Sequence, residues 1–386
     1  MDVIGYRQRG DAPVRRPAEF TPDLLEKIEW RRRAADEPFR GVATSDGIRP
    51  GLFPLRETGL DVDGIRQAAL DYMAALEPGQ PAEGRFPMDD VTWRHWANGV
   101  RYFLRHGLCL EDLDQRQRDK ALALVRTSLS AYGYTQIIDL MNLNLTMGEL
   151  RGEEHLLNEW LYWFSIYGSP ESGQPWGWQL DGHHICVNAV IVGDQMTLTP
   201  TFLGSEPTVA EGGRYAGTAA FRREEAVAAR LFTSLTAEQR KSAVFADELP
   251  PELFVGAFRD NFELNHTGLP LGELTEPQRL IATDLLGLYV GRAREDHARV
   301  RMEEVLAHEA ETCFAWAGEP NGVFYYRLHS PVILIEFEHM AGVMYANDHP
   351  TRRHIHTVVR TPNGNDYGID LLRQHHERFH FKKEST

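Results

Sequence analysis

Cysteine is scarce in this chain: Cys109, Cys186 and Cys313 are the three among 386 residues. They lie far apart and form no CxxC pair, which argues against a disulfide framework and for a reducing compartment. Long apolar runs are missing as well. No stretch reaches about 18 consecutive apolar residues, so the sequence predicts no membrane-spanning helix. The opening segment Met1 to Asp11 lacks the apolar core of a secretory signal, and a cytoplasmic address is expected. Positive charge is outweighed, with 41 Lys+Arg against 56 Asp+Glu and a formal charge of -15. A surface of that sign repels phosphate backbones, so no nucleic-acid partner is expected. The run Arg31, Arg32, Arg33 is followed at once by Asp36 and Glu37 and reads as a solvated helix face.

Several catalytic signatures are absent too. There is no GxGxxG behind a strand, no GxxxxGK[ST] and no GxSxG elbow, so neither a nucleotide cofactor nor an activated serine is invoked. His308-Glu309-Ala310-Glu311-Thr312 starts like a zinc-protease helix but has no second histidine four residues after the first.

What is present is an ordinary globular composition, 42% hydrophobic and 25% charged, long enough to bury a core without staples. Residues 1–60 read as an irregular arm with one short helix, Pro22 to Ala35, and loop through Phe39–Gly59. Residues 61–380 read as one large domain and 381–386 as a polar tail. Ile65, Ala68, Ala69, Tyr72 and Met73 have helical spacing. A helix-opening signature recurs at Leu113–Arg118, Leu235–Arg240 and Leu274–Arg279, with Thr236 and Thr275 as N-caps. It is either a good helix start used repeatedly or a trace of internal duplication. The helix after Thr275 pauses near Gly291 and resumes through Val300, Val305, Leu306, Ala310 and Phe314. Strands are expected at His184–Val192, at Thr197–Phe202 across the Gly193-Asp194 turn, and at Val323–Leu328, Val332–Phe337 and His354–Arg360. The order of helices and strands predicts an α+β fold, a mostly antiparallel sheet backed by helices.

The histidines are grouped. His354-Ile355-His356 opens a strand, and alternate strand residues share a face, so both imidazoles point the same way. Gly182-His183-His184 opens another strand. There His184 shares a face with polar Cys186 and Asn188, while His183 lies with Ile185 and Val187. His184 is therefore the favoured ligand, with His183 joining it or standing behind it. Glu336 sits in the apolar strand Pro331–Phe337, where an uncompensated carboxylate costs several kcal/mol. Imidazoles with one acid suit a divalent transition metal, whether zinc, iron, manganese or copper. Two alternatives stay open: a hydrogen-bonded structural core, and metal-free acid–base chemistry. Glu336 or Glu338 is a candidate base. Arg327 and Arg360 are candidates to grip an anionic substrate, against the plainer reading of salt bridges to Glu336 or Asp366. Trp176 and Trp178 either wall a substrate pocket or fill the core.

Pro175–His184 and His354–Pro362, with Tyr167-Gly168-Ser169-Pro170, Arg327, Pro331, Glu336 and Asn365-Asp366-Tyr367-Gly368, carry a resemblance that spans about Leu60 to His380. The chain resembles the bacterial and fungal proteins grouped as domain of unknown function 3500. That resemblance implies the GHH, IE and HIH segments as signature positions and names no activity. The reading reached from the residues is a metal-dependent hydrolase or lyase for a small organic substrate. The rivals are a non-haem iron or copper oxygenase or oxidase, and a non-catalytic binding protein.

The charge argument has a direct check. No retardation of duplex DNA is expected in a mobility assay at physiological salt, and clear retardation would overturn it.

Overall fold

The computed structural model describes residues 22–99, 105–343 and 345–379. Helix α1 (Pro22–Asp36) covers the predicted arm helix, and residues 37–62 then run without helix or named strand. The first 21 residues and the 381–386 tail lie outside the described residues.

The first half then comprises α2 (Asp63–Ala75), α3 (Gln80–Gly84), β1 (Arg85–Phe86), β2 (Leu108–Cys109), α4 (Gln115–Ser128) and α5 (Ala131–Arg151). It ends with β3 (Tyr162–Gly168), β4 (Trp176–Gly182), β5 (Ile185–Val192), β6 (Gln195–Thr197) and β7 (Thr201–Ser205). The second half comprises α6 (Arg222–Ser234), α7 (Ala237–Ala243), β8 (Leu269–Pro270), α8 (Glu276–Val290) and α9 (Glu295–Leu306). It continues through β9 (Cys313–Gly318), β10 (Phe324–His329), β11 (Leu334–Ala341) and β12 (Pro350–Arg360), and α10 (Ile369–Phe379) follows.

Among the described residues twelve strands form one sheet, ordered β1-β3-β4-β5-β7-β12-β11-β10-β9-β8, with β2 on β3 and β6 on β5. All pairings are antiparallel except β1 with β3. The fold is α+β, as expected. Among the described residues no helix is long and apolar enough to cross a membrane.

The recurring helix start is more than a reused cap. Leu113–Arg118 and Leu274–Arg279 open α4 and α8, which hold matching places in the two halves. Gln117 Nε2 donates to Ala75 O at 3.2 Å and to Gln80 Oε1 at 2.9 Å. Gln278 Nε2 donates to Ser234 O at 2.8 Å and to Gln239 Oε1 at 2.9 Å. Trp178 on β4 bonds Ser128 at the end of α4, and Tyr326 on β10 bonds Tyr289 at the end of α8. A pseudo-twofold axis runs where the halves meet. Ser130 N donates to Arg292 O at 3.0 Å, and Arg294 N answers to Ser128 O at 3.1 Å. In the sheet the halves join through β7 and β12, with Thr201 opposite Val359 and Gly204 opposite His356. These matched contacts favour the duplication reading of the recurring helix start.

Apolar alternation divides the sheet into two buried faces. Ile185, Val187, Leu203, Ile335, Phe337 and Val359 pack under helices that include α2, α4, α5, α6 and α8. Cys186, Phe202, Tyr325, Leu334 and Val358 pack under the other layer, which draws on residues 245–264 and α10.

Three details depart from the sequence expectation. His183 and His184 are not the start of a strand but the two-residue turn joining β4 to β5, with Gly182 opposite Ile185. The expected strand Thr197–Phe202 is divided between β6 and β7 around the cis peptide Thr199-Pro200, and both pieces pair with β5. The helix expected to run to Phe314 stops at Leu306, and Phe314 lies on β9 opposite Leu328 and Leu269. Its helical spacing is overruled by the ladder it completes. His375 and His376 belong to α10.

The paired capping glutamines give a stability test. Gln117→Ala and Gln278→Ala should each cost about 2 kcal/mol, because each strands buried polar partners, and the double variant should cost about the sum. Urea unfolding midpoints measure this, and strongly unequal losses would contradict matched roles in the two halves.

Candidate metal centre

The site forms where the two halves meet. The β4–β5 turn places His184 at φ 62°, a left-handed conformation that histidine visits sparingly. Its backbone is held at both groups: His184 N donates to Asn98 O at 3.2 Å, and Gly204 N donates to His184 O at 2.7 Å. The turn thereby hangs His184 over β7 and toward β12. There His354 and His356 share one face, as the alternation predicted.

Three imidazole nitrogens converge. His354 Nε2 lies 3.3 Å from His184 Nε2 and 3.0 Å from His356 Nε2. All three rings are buried, and their ligand atoms lie within 4.8 Å of one another. Two nitrogens held 2.0–2.1 Å from a zinc ion at a tetrahedral angle stand about 3.3 Å apart, and at a right angle about 2.9 Å. The observed edges span that interval. Gly204 makes this closeness sterically feasible, since a Cβ there would meet His356 Cδ2 at 2.7 Å and His184 Cδ2 at 3.3 Å.

The far nitrogens are anchored. His354 Nδ1 donates to Ala341 O at 2.8 Å, which leaves Nε2 with the lone pair. His356 Nδ1 is 3.1 Å from Glu338 Oε1, its cross-strand neighbour on β11. Glu206, buried at 2% exposure, stands 3.7 Å from His354 Nδ1 and accepts from Tyr345 N at 3.0 Å. A carboxylate or carbonyl behind each ring is the usual support of a metal-binding histidine, fixing its tautomer and orientation. Burial pushes His184 and His356 well below the ordinary histidine range, helped by repulsion between the neighbouring rings. The neutral, ligating form is thus the resting one.

His183 stays out of the group of three. Its ring stacks on His184 with centroids 3.8 Å apart, and its Nδ1 is 2.7 Å from Asn144 Oδ1. Asn144 donates its amide to Asn158 O at 2.9 Å, so its oxygen accepts from His183, whose Nε2 is then the acceptor. Burial holds the His183 pKa down at about 3. The pocket in front of the histidines measures about 530 Å³. Its walls include His183, Asn98, Glu206, Leu157, Met340 and Val343.

Glu336 is not brought to the imidazoles. It shares their face of the sheet but sits opposite Val358, two pairs further along than Glu338. Its oxygens accept from Phe254 N at 3.0 Å, Val255 N at 2.8 Å and Tyr325 OH at 2.6 Å. The compensation that the buried acid demands comes from these donors. Glu338 takes the position beside a ring, and burial together with Glu336 pushes its pKa well above the carboxylate range. Arg360 is fully buried between Asp260 at 2.6 Å and Asp366 at 2.8 Å, the salt-bridge alternative, and it faces no pocket substrate. Arg327 lies over the rings of Phe245 and Phe254, 5.6 Å from each centroid. Trp176 and Trp178 are core residues under the helices and do not line the pocket.

Three supporting residues escaped the sequence reading. Asn144 left a trace, because asparagine is unfavourable inside a helix and α5 carries it in mid-span. Gly204 did too, as a glycine within a strand. Glu206 left none.

The fold and site together define an α+β protein with a buried three-histidine cluster where the two halves of the sheet pair. A family model described as "Protein of unknown function (DUF3500)" matches residues 58–369, and the chain belongs to that family. No curated protein and no solved structure matches the chain.

The role of Arg360 can be measured. Arg360→Met leaves Asp260 and Asp366 buried without their shared cation and should cost about 3–5 kcal/mol in urea unfolding. A variant of unchanged stability would restore Arg360 as a spare cation.

Proposed function

We propose that this protein is a metal-dependent enzyme acting on a small organic molecule, with His184, His354 and His356 holding a divalent transition metal. The carrying observation is the approach of three imidazole nitrogens at 3.0 and 3.3 Å. With Nδ1 of His354 committed to a carbonyl, and Nδ1 of His356 donating to Glu338 when that acid is ionised, both Nε2 atoms present lone pairs to each other. That contact is repulsive unless a cation lies between them. Three protein ligands leave a further coordination position, as catalytic sites do, and the pocket opens beside them. Zinc, iron and copper suit imidazole ligands, and manganese, which prefers oxygen donors, fits this set less well.

An ion in this place supplies Lewis acidity toward a substrate carbonyl or a water, which is the basis for preferring hydrolase or lyase chemistry. Glu338 positions His356 rather than acting as the base. His183 offers its Nε2 as a hydrogen-bond acceptor at the pocket wall, fixed by Asn144. Leu157, Met340 and Val343 would take the apolar part of the substrate. The sparse and widely separated cysteines support a cytoplasmic setting.

One observation favours a second reading, a structural polar core. Burial favours a protonated Glu338, which could donate to His356 Nδ1. His356 would then carry its proton on Nε2 and bond His354 without any metal. An oxygenase or oxidase shares the ligand set and is separated by metal identity.

Elemental analysis of protein purified without a histidine tag decides between these. About one equivalent of transition metal is expected in the wild type and little in His354→Ala or His356→Ala. Glu338→Gln should bind metal about 10–100-fold more weakly. Wild type and variants equally free of metal, even after incubation with zinc or iron(II), would leave the structural core as the better reading. Zinc favours hydrolysis or elimination, and iron or copper with oxygen uptake favours oxidation.

A further inference from the structure

A second, smaller cavity of about 80 Å³ lies apart from the histidine pocket, against the pseudo-twofold junction. On that measure one water needs roughly 10–15 Å³, so the space holds about five to eight non-hydrogen atoms. Phe53 and Thr58 of the N-terminal arm contribute to its wall. That part of the arm is fastened down: Thr58 N and Gly59 N both donate to Asp194 Oδ2, at 2.8 and 2.6 Å.

The lining is polar in a particular way. Thr197, Thr199, Thr201 and Thr361 belong to it, and a hydroxyl both donates and accepts. Two basic side chains share the wall with nitrogens that have no hydrogen-bond partner among the described residues, Nε2 of His297 and Nε and Nη1 of Arg292. Both residues are buried, at 4% and 3% exposure. Buried polar atoms without partners are rare enough to need an explanation, and an unseen polar occupant is a common one.

The charges on the wall are already balanced. Arg292 Nη2 faces Glu224 at 3.3 Å, and Arg301 Nη1 faces Glu304 at 3.1 Å. An ionised occupant would therefore lose its hydration without gaining a free counter-charge. Burial also holds His297 below its ordinary range, so it stays neutral.

We infer that this cavity is a second ligand site, separate from the metal centre, for an uncharged hydroxyl-bearing molecule of about six heavy atoms, the size of a small polyol. The threonine hydroxyls and His297 supply its hydrogen bonds, and Phe53 packs against its carbon skeleton. The assignment does not depend on the metal reading.

The test is saturation-transfer NMR on the full chain with glycerol as the probe and acetate as a charged control of similar size. Saturable glycerol binding is expected. It should weaken about tenfold in Thr197→Val, which removes one hydroxyl, and more in His297→Phe, which also fills space. Metal content should be unchanged in both variants, which separates this site from the histidine cluster. Should His297→Phe fail to fold, the milder Thr197→Val still carries the comparison. Non-saturable glycerol signals, equal binding by wild type and Thr197→Val, or a preference for acetate would each overturn the assignment.

Discussion

The pairing of β7 with β12 is the contact on which the candidate centre rests. Among the described residues it is the one ladder that joins the two halves within the sheet, and it aligns Gly204 with His356. The β4–β5 turn is bound to Gly204 through the backbone oxygen of His184. Three short pieces of chain are thus locked by main-chain hydrogen bonds before any side chain contributes. A ladder slip of one residue would turn His354 and His356 to the opposite face. Both faces are packed, which makes such a slip costly and the imidazole geometry rigid.

Among the described residues this centre occurs once, although the two halves share a hairpin plan. The hairpin of the second half matches that of the first, with Arg327 opposite Glu336 where Gln179 stands opposite Asn188. Carried further, this register puts Val190 opposite Thr197 where the other half has Glu338 opposite His356. The turn matching His183-His184 is Pro331-Val332. Each half thus keeps the scaffold, but one position has imidazoles with a carboxylate behind them and the other has none. The site is also composite, since His184 belongs to the first half and the other two rings to the second. Neither half alone could assemble it.

The sequence revealed the parts that depend on local chemistry. Period-two alternation at His354 and His356 correctly put two rings on one face, and the capping residues Thr236 and Thr275 correctly placed helix starts. The β-rich runs marked the later strands. What it could not reveal was anything set by long-range pairing. His183 and His184 were assigned faces by strand parity, but they form a turn, where parity has no meaning and φ decides the direction of each ring. Glu336 stood out because an acid in an apolar strand needs compensation. Nothing local announced that Phe254, Val255 and Tyr325 would provide it, while Glu338, two residues on, would meet a histidine. Phe314 shows the same limit, since its helical spacing yields to a ladder whose partners are 14 and 45 residues away.

The remaining question about the centre is one of protons. His354 has no freedom, because a carbonyl can only accept and so fixes its Nε2 as a lone pair. All ambiguity therefore passes to the pair formed by His356 and Glu338. An ionised Glu338 makes His356 a second lone pair facing the first, an arrangement only a cation stabilises. A protonated Glu338 reverses His356 and closes a neutral chain of hydrogen bonds. Burial and the neighbouring Glu336 favour the proton while the centre is empty, whereas an ion bound to the imidazoles would favour its release. On the metal reading, metal uptake and ionisation of Glu338 would be two sides of one equilibrium. The same buried carboxylate that stabilises the empty site would become the counter-charge of the filled one, and this coupling would let an apolar sheet carry three histidines in either state.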